Sequence, residues 1–134
     1  MRALVVDDSR AMRALLTNIL RGIGAEVVQA TDGRDALEQL RRTDALPDLV
    51  LIDWHMPEMN GLELVKAVRK DPAWKPMTLM MVTTESEHEN MVRALLAGAD
   101  EYLIKPFTPD ALLEKLNLLG VPVPEQALAA VTGG

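Results

Sequence analysis

Leu49-Val50-Leu51-Ile52-Asp53-Trp54-His55-Met56-Pro57-Glu58-Met59-Asn60-Gly61 is the stretch on which the fold turns. Four strand-forming apolar residues run unbroken and stop at a single carboxylate. An unbroken apolar run of this length suits a strand buried on both faces, as in a parallel sheet. Asp53 then stands at the carboxyl end of a central strand, where open α/β sheets bind their ligands. Pro57 and Asn60-Gly61 turn the chain away and leave that carboxylate at the sheet edge. Taken alone, the stretch fits equally well with Asp53 capping a turn or the next helix. The flanking chain decides.

Upstream, Ala3-Leu4-Val5-Val6 closes in Asp7-Asp8-Ser9 and predicts a first buried strand. Met12, Leu15, Leu16, Ile19 and Leu20 then follow helical spacing as one apolar stripe, with Asp8 or Ser9 as cap and Gly22 and Gly24 as stop. Glu26 to Ala30 is a shorter strand nearer a sheet edge, because polar residues flank Val27-Val28. Thr31-Asp32-Gly33 turns and caps a second helix marked by Ala36, Leu37 and Leu40 and finished before Pro47.

Downstream, Asn60 caps a third helix with Leu62, Val65 and Val68 on its apolar face, ended by Asp71-Pro72. Thr78 to Val82 is the fourth strand and closes in Thr83-Thr84. Ser86 and Glu89 have capping-box spacing, and Met91, Val92, Leu95 and Leu96 predict the buried stripe of a fourth helix that Gly98 ends. Glu101-Tyr102-Leu103-Ile104 is the fifth strand and runs into Lys105-Pro106. Thr108 and Pro109 start a fifth helix with Leu112, Leu113 and Leu116 inside. Gly120-Val121-Pro122-Val123-Pro124 breaks it, so residues 1–120 read as one domain and 121–134 as a mobile C-terminal tail with at most a short helical turn.

Five strand–helix units in alternation predict an α/β fold with a single doubly wound, five-stranded, parallel sheet and five helices. Right-handed crossovers place every strand's carboxyl end on one edge. The composition is that of a globular domain, 49% hydrophobic and 25% charged. A net charge of −6 with no basic stripe argues against direct nucleic-acid binding. The absence of cysteine excludes disulfides and thiolate metal sites. No signal peptide is visible, and no apolar run approaches the roughly 20 residues that cross a bilayer, so the expected location is cytoplasmic without membrane insertion.

The residues that close the strands carry the chemistry. They are Asp7 and Asp8 after the first, Asp53 after the third, Thr83 after the fourth and Lys105 after the fifth. Three convergent carboxylates repel one another, and a hard divalent cation such as Mg2+, which prefers oxygen ligands, relieves the repulsion. Lys105 offers a point positive charge and Thr83 a short hydroxyl donor. Together they describe a site for a phosphoryl group with Asp53 as acceptor. Singly, Asp7 and Asp8 fit helix caps, Thr83 a turn, Lys105 a surface lysine and Tyr102 a half-buried strand aromatic.

The pieces Val5-Val6-Asp7-Asp8, Asp53-Trp54-His55-Met56-Pro57 with Gly61, Val82-Thr83, and Tyr102 through Phe107 resemble the receiver domains of two-component response regulators. The resemblance runs from residue 2 to about 119 and is nearest to the stand-alone, CheY-like chemotaxis branch. It implies a flavodoxin-like strand order of 2-1-3-4-5, with Asp53 taking a phosphoryl group from a histidine kinase or from acetyl phosphate. It further implies that Asp8 and Asp53 ligate Mg2+ directly, Asp7 mainly through water, and the backbone carbonyl of His55 as well. Lys105 would contact the phosphoryl group, Thr83 would swing in to bond it, and Tyr102 would turn inward. In this family the Lys105-Pro106 bond is cis, and His55 and Glu85 occupy positions that tune phosphoryl lifetime. Ser9 stands where the enteric chemotaxis relative has a bulky aromatic, and Thr84 is larger than the alanine or glycine often found beside the family's switch threonine.

The implied function is a phosphorylation-switched signalling module that catalyses only its own phosphorylation and dephosphorylation. Its output would be protein binding through the fourth helix, fifth strand and fifth helix, with His88, Met91, Tyr102 and Lys115 as candidates. Implied partners are a sensor histidine kinase, a target such as the flagellar motor switch, and a phosphatase. Alternatives are a receiver of another phosphorelay or one excised from a larger regulator. A Mg-dependent phosphatase forming an aspartyl phosphate is a further one, but such enzymes carry a second aspartate where this chain has His55.

Overall fold

The apolar runs pair with one another in parallel. In the computed structural model, which describes residues 1–125 and 127, the strands are β1 (Arg2–Val6), β2 (Glu26–Ala30), β3 (Leu49–Ile52), β4 (Thr78–Thr83) and β5 (Glu101–Ile104). They form one sheet in the order β2-β1-β3-β4-β5, which puts β2 at an edge as its flanking polar residues foretell. The helices are α1 (Arg10–Gly22), α2 (Gly33–Arg42), α3 (Gly61–Lys70), α4 (His88–Ala97) and α5 (Pro109–Leu118). No helix among the described residues is long and apolar enough to cross a membrane.

The unbroken composition of β3 follows from its two covered faces. Val50 and Ile52 pack with residues of α2, α3 and α4, whereas Leu49 and Leu51 pack with residues of α1 and α5. All four are buried, and each such side chain contributes roughly 1.5–3 kcal/mol relative to exposure. The register Val6↔Ile52 brings the carboxyl ends of β1 and β3 level, and Ile52↔Met81 lets β4 run two residues further, to Thr83.

The helix starts obey local capping chemistry. Ser9, Asp32, Asn60 and Thr108 each accept a hydrogen bond from a backbone N–H in the first turn of the following helix. Asn60 and Glu63 form a reciprocal capping box.

Two expectations for α4 need correction. Ser86 and Glu89 do not form a capping box; the N-cap residue is Glu87 and it makes no side-chain cap bond. Glu85 accepts from the Glu87 N–H and from Asn90, so it organises this end of the helix instead. The apolar stripe is also rotated. Ala94 is the buried residue, Met91 is half-buried, and Val92, Leu95 and Leu96 are exposed, Leu96 by 83%. Apolar residues lie around much of this helix, and the small Ala94 is the one turned into the core. On α1 the same kind of misreading is smaller: Leu15 is exposed, and the inward position is taken by Thr17, whose hydroxyl accepts from Gln29.

In the expected tail, Val121 is buried and Val123 and Ala127 pack on the α1–α5 side of the core. Residues 126 and 128–134 lie outside the described residues, and with them the greater part of the mobility and helical turn expected there.

Candidate functional site

The polar residues that end the apolar runs meet at one sheet edge. Asp53 continues the β3–β1 ladder through its N–H to the Val6 carbonyl at 3.0 Å, and Lys105 continues β5–β4 through its N–H to the Thr83 carbonyl at 2.8 Å. Beyond Asp53 the chain folds back sharply, with the Gly61 N–H on the Trp54 carbonyl at 2.8 Å. A Cβ at Gly61 would fall on the Asp53 carbonyl oxygen and within 2.9 Å of the Trp54 Cα, so only glycine permits this approach. Lys105-Pro106 is cis.

Carboxylate oxygens of Asp7, Asp8 and Asp53 lie within 4.8 Å of one another. Asp7 is 1% exposed and Asp53 7%, whereas Asp8 is open to solvent. Both oxygens of Asp7 are engaged: Oδ1 accepts from the Ser9 N–H at 2.8 Å and Oδ2 from Lys105 Nζ at 2.7 Å. Lys105 Nζ also stands 3.8 Å from Asp53 Oδ1. Arg13, which the sequence did not single out, donates to the Asp7 carbonyl at 2.8 Å.

One ammonium against three carboxylates leaves an uncompensated negative charge. Burial pushes the Asp53 carboxyl above its usual range, the Thr83 hydroxyl and Lys105 pull it back, and Asp7 and Asp8 push it up again. An all-oxygen, mostly carboxylate donor set facing solvent on one side fits a hard divalent cation that keeps some of its waters.

Behind the carboxylates lies a second group. Thr83 is fully buried, and its Oγ1 accepts from the Glu85 N–H at 3.2 Å. His55 Nε2 lies 3.3 Å from Glu85 Oε2, which ties the β3–α3 and β4–α4 connections together beside Asp53. Asn90, unnoticed in the sequence, donates to Glu85 Oε1 at 3.1 Å. The Asn90 amide, the Glu87 N–H and His55 hold the Glu85 carboxyl below the usual range.

Tyr102 is buried rather than half-buried, at 5% exposure, and its hydroxyl donates to the Glu85 carbonyl at 2.6 Å. Burial, with Glu85 and Asp53 nearby, pushes its phenol up to about 12. The remaining expected residues stand apart from the acids. His88 opens α4 in solvent, Met91 is half-buried, and Lys115 on α5 pairs with Glu101 at 3.1 Å. The apolar cavity lined by Leu4, Val28, Leu40 and Pro47 is at the amino end of β1 and takes no part in the cluster.

Comparison with known proteins gives a consistent result. Residues 3–117 match the model of the response regulator receiver domain. The chemotaxis protein CheY1 of Helicobacter pylori is 46% identical over 122 residues, covering 89% of this chain and 96% of that protein. A chemotaxis protein CheY homolog of Campylobacter jejuni is 45% identical over 118 residues, covering 87% of this chain and 90% of that one. Among solved structures, the chemotaxis response regulator CheY4 of Vibrio cholerae superposes with a TM-score of 0.81 at 38% identity, covering 88% of this chain and 97% of its own. A putative response regulator from Chloroflexus aurantiacus gives 0.81 at 35% identity, covering 89% and 97%.

Proposed function

The chain belongs to the response regulator receiver family, and from that premise we propose that Asp53 is the residue that takes the phosphoryl group. The observation that carries this is the convergence of Asp7, Asp8, Asp53 and Lys105 at one sheet edge with Thr83 behind them. A carboxylate oxygen of Asp53 attacks phosphorus. The bond from phosphorus to the donor, a kinase phosphohistidine or the acyl oxygen of acetyl phosphate, breaks with its electron pair leaving on the donor. The product is an acyl phosphate on Asp53.

Asp8 and Asp53, with the backbone carbonyl of His55, would hold Mg2+, and Asp7 would act mainly through water. The second role for Asp7 is supported by its oxygens, which already accept from Ser9 and Lys105. When bound, the cation supplies positive charge that offsets the anionic donor and the three carboxylates. Lys105 sits where it can pair with the phosphoryl oxygens, and Thr83 where its hydroxyl can donate to them. The protein's own catalysis is limited to gaining and losing this group, with His55 and Glu85 governing lifetime from the rim.

The protein is a phosphorylation-activated response regulator of the chemotaxis type. Its phosphodonor is a sensor histidine kinase in the cytoplasm, and its target is a protein such as the flagellar motor switch, with a phosphatase as a further partner. The output surface is α4, β5 and α5, including His88, Met91, Tyr102 and Lys115. Exposed Val92, Leu95, Leu96 and Ile104 on the same side support a protein target. Inverting a 1:99 population takes roughly 5.5 kcal/mol of differential stabilisation. A few charge-assisted hydrogen bonds from Lys105 and Thr83 are of that order.

The test is intact mass after incubation with acetyl phosphate. One phosphoryl group, gained only with Mg2+ and only with Asp53 intact, is the expected result. An adduct of the same size on Asp53→Asn would overturn the assignment.

A further inference from the structure

Glu85 touches five groups from four parts of the chain. Its N–H donates to Thr83 Oγ1 at 3.2 Å, and its carbonyl accepts from the Tyr102 hydroxyl at 2.6 Å. Its carboxylate accepts at Oε1 from the Glu87 N–H and from Asn90 Nδ2, both at 3.1 Å, while Oε2 lies 3.3 Å from His55 Nε2. The backbone contacts reach Thr83 and Tyr102. The side-chain contacts join the same residue to His55 and to the first turn of α4, which has no capping side chain at Glu87.

Tyr102 has therefore no need of a phosphoryl group to be inward. A buried hydroxyl requires an acceptor, and the Glu85 carbonyl provides one while Thr83 is still bonded to the Glu85 N–H. The Glu85 side chain is 13% exposed and its carboxylate lies between His55 and the first turn of α4.

We propose that the Glu85 carboxylate is a positioning group that sets the β4–α4 connection so that Tyr102 is turned inward before phosphorylation. Phosphorylation then acts on a receiver whose tyrosine is already placed, and the remaining change falls on Thr83 and the first turn of α4. This rests on the reading of Thr83 and Tyr102 as the switch pair.

The chain has one tyrosine, so 3-fluorotyrosine labelling gives a single 19F signal from Tyr102. The spectrum is recorded on the full chain without Mg2+ or phosphodonor, and solvent exposure is read from broadening by a soluble paramagnetic agent. Wild type should give a protected signal that beryllofluoride with Mg2+ barely moves. Glu85→Ala should lower the inward-to-outward ratio at least tenfold, and Asn90→Ala should lower it less. Glu85→Gln keeps an oxygen acceptor for Glu87 and Asn90 and should restore the wild-type signal. A wild-type signal that is exposed and becomes protected only with beryllofluoride would overturn the proposal, as would a Glu85→Ala signal identical to wild type. Acetyl phosphate labelling of the same samples separates the two readings: an adduct with Tyr102 indifferent to Glu85 removes only the positioning role, and no adduct removes only the receiver chemistry.

Discussion

Replacing Asp53 by asparagine should stabilise the magnesium-free protein while removing the proposed phosphoryl acceptor. The carboxylate oxygens of Asp7 and Asp8 lie within 4.8 Å of Asp53, and Lys105 Nζ lies 3.8 Å away. At an effective dielectric of about 20, each acid pair repels by roughly 3.5 kcal/mol and the lysine attracts by roughly 4.4 kcal/mol. Two repulsions against one attraction leave the Asp53 charge unfavourable by about 2.5 kcal/mol. Solvent around exposed Asp8 screens part of this, and about 1–2 kcal/mol remains. Asparagine keeps the shape and an oxygen acceptor but not the charge. For a chain of this size the melting temperature should rise by roughly 4–8 °C.

The measurement is thermal and urea unfolding in chelator at neutral pH, repeated with Mg2+. The gap between variant and wild type should narrow with the cation, which favours the carboxylate. The pH dependence has a definite sign. Burial holds the Asp53 carboxyl above its ordinary 3.8, so its favourable contribution is complete below that pH and is lost as pH rises through the folded-state value. The advantage of asparagine should therefore shrink on acidification towards 3.8. A variant no more stable than wild type in chelator at neutral pH would refute the charge accounting.

Gly61→Ala should cost about 3 kcal/mol, at the upper end for overpacking, because the new Cβ meets the Asp53 carbonyl and the Trp54 backbone rather than a flexible side-chain end alone. The urea midpoint reads this, and acetyl phosphate labelling should fall with it. Glu58 has φ 69° and among the described residues pairs with exposed Arg34, so Glu58→Gly should stabilise by roughly 0.5–1 kcal/mol, and a lower midpoint would contradict the strain. The Tyr102 phenol should ionise near 12 in the folded protein by ultraviolet absorbance. The stability it lends is complete below pH 10 and is lost as pH rises towards 12; a folded-state midpoint near 10 would contradict its burial.

The site was more legible in the sequence than the helix beside it, for a physical reason. In a parallel sheet covered on both sides, each strand is an unbroken apolar run, so the first polar residue after it is marked, and the crossover rule sends all such residues to one edge. Asp7, Asp53 and Lys105 needed no more than that to be brought together, and the side chains within 4 Å of one another are those the strand ends predict. Periodicity, by contrast, identifies a buried face only where the opposite face is polar. On α4 it identified a helix but not its phase, because Val92, Leu95 and Leu96 are apolar and exposed while Ala94 is inside. The Glu85 contacts were hidden for another reason: they join His55, Thr83, Asn90 and Tyr102 across connections whose course no local pattern records. The misreading of α4 is itself informative. Folding does not require leucines in water, and exposed Val92, Leu95 and Leu96 are what the proposed output surface would offer a protein target.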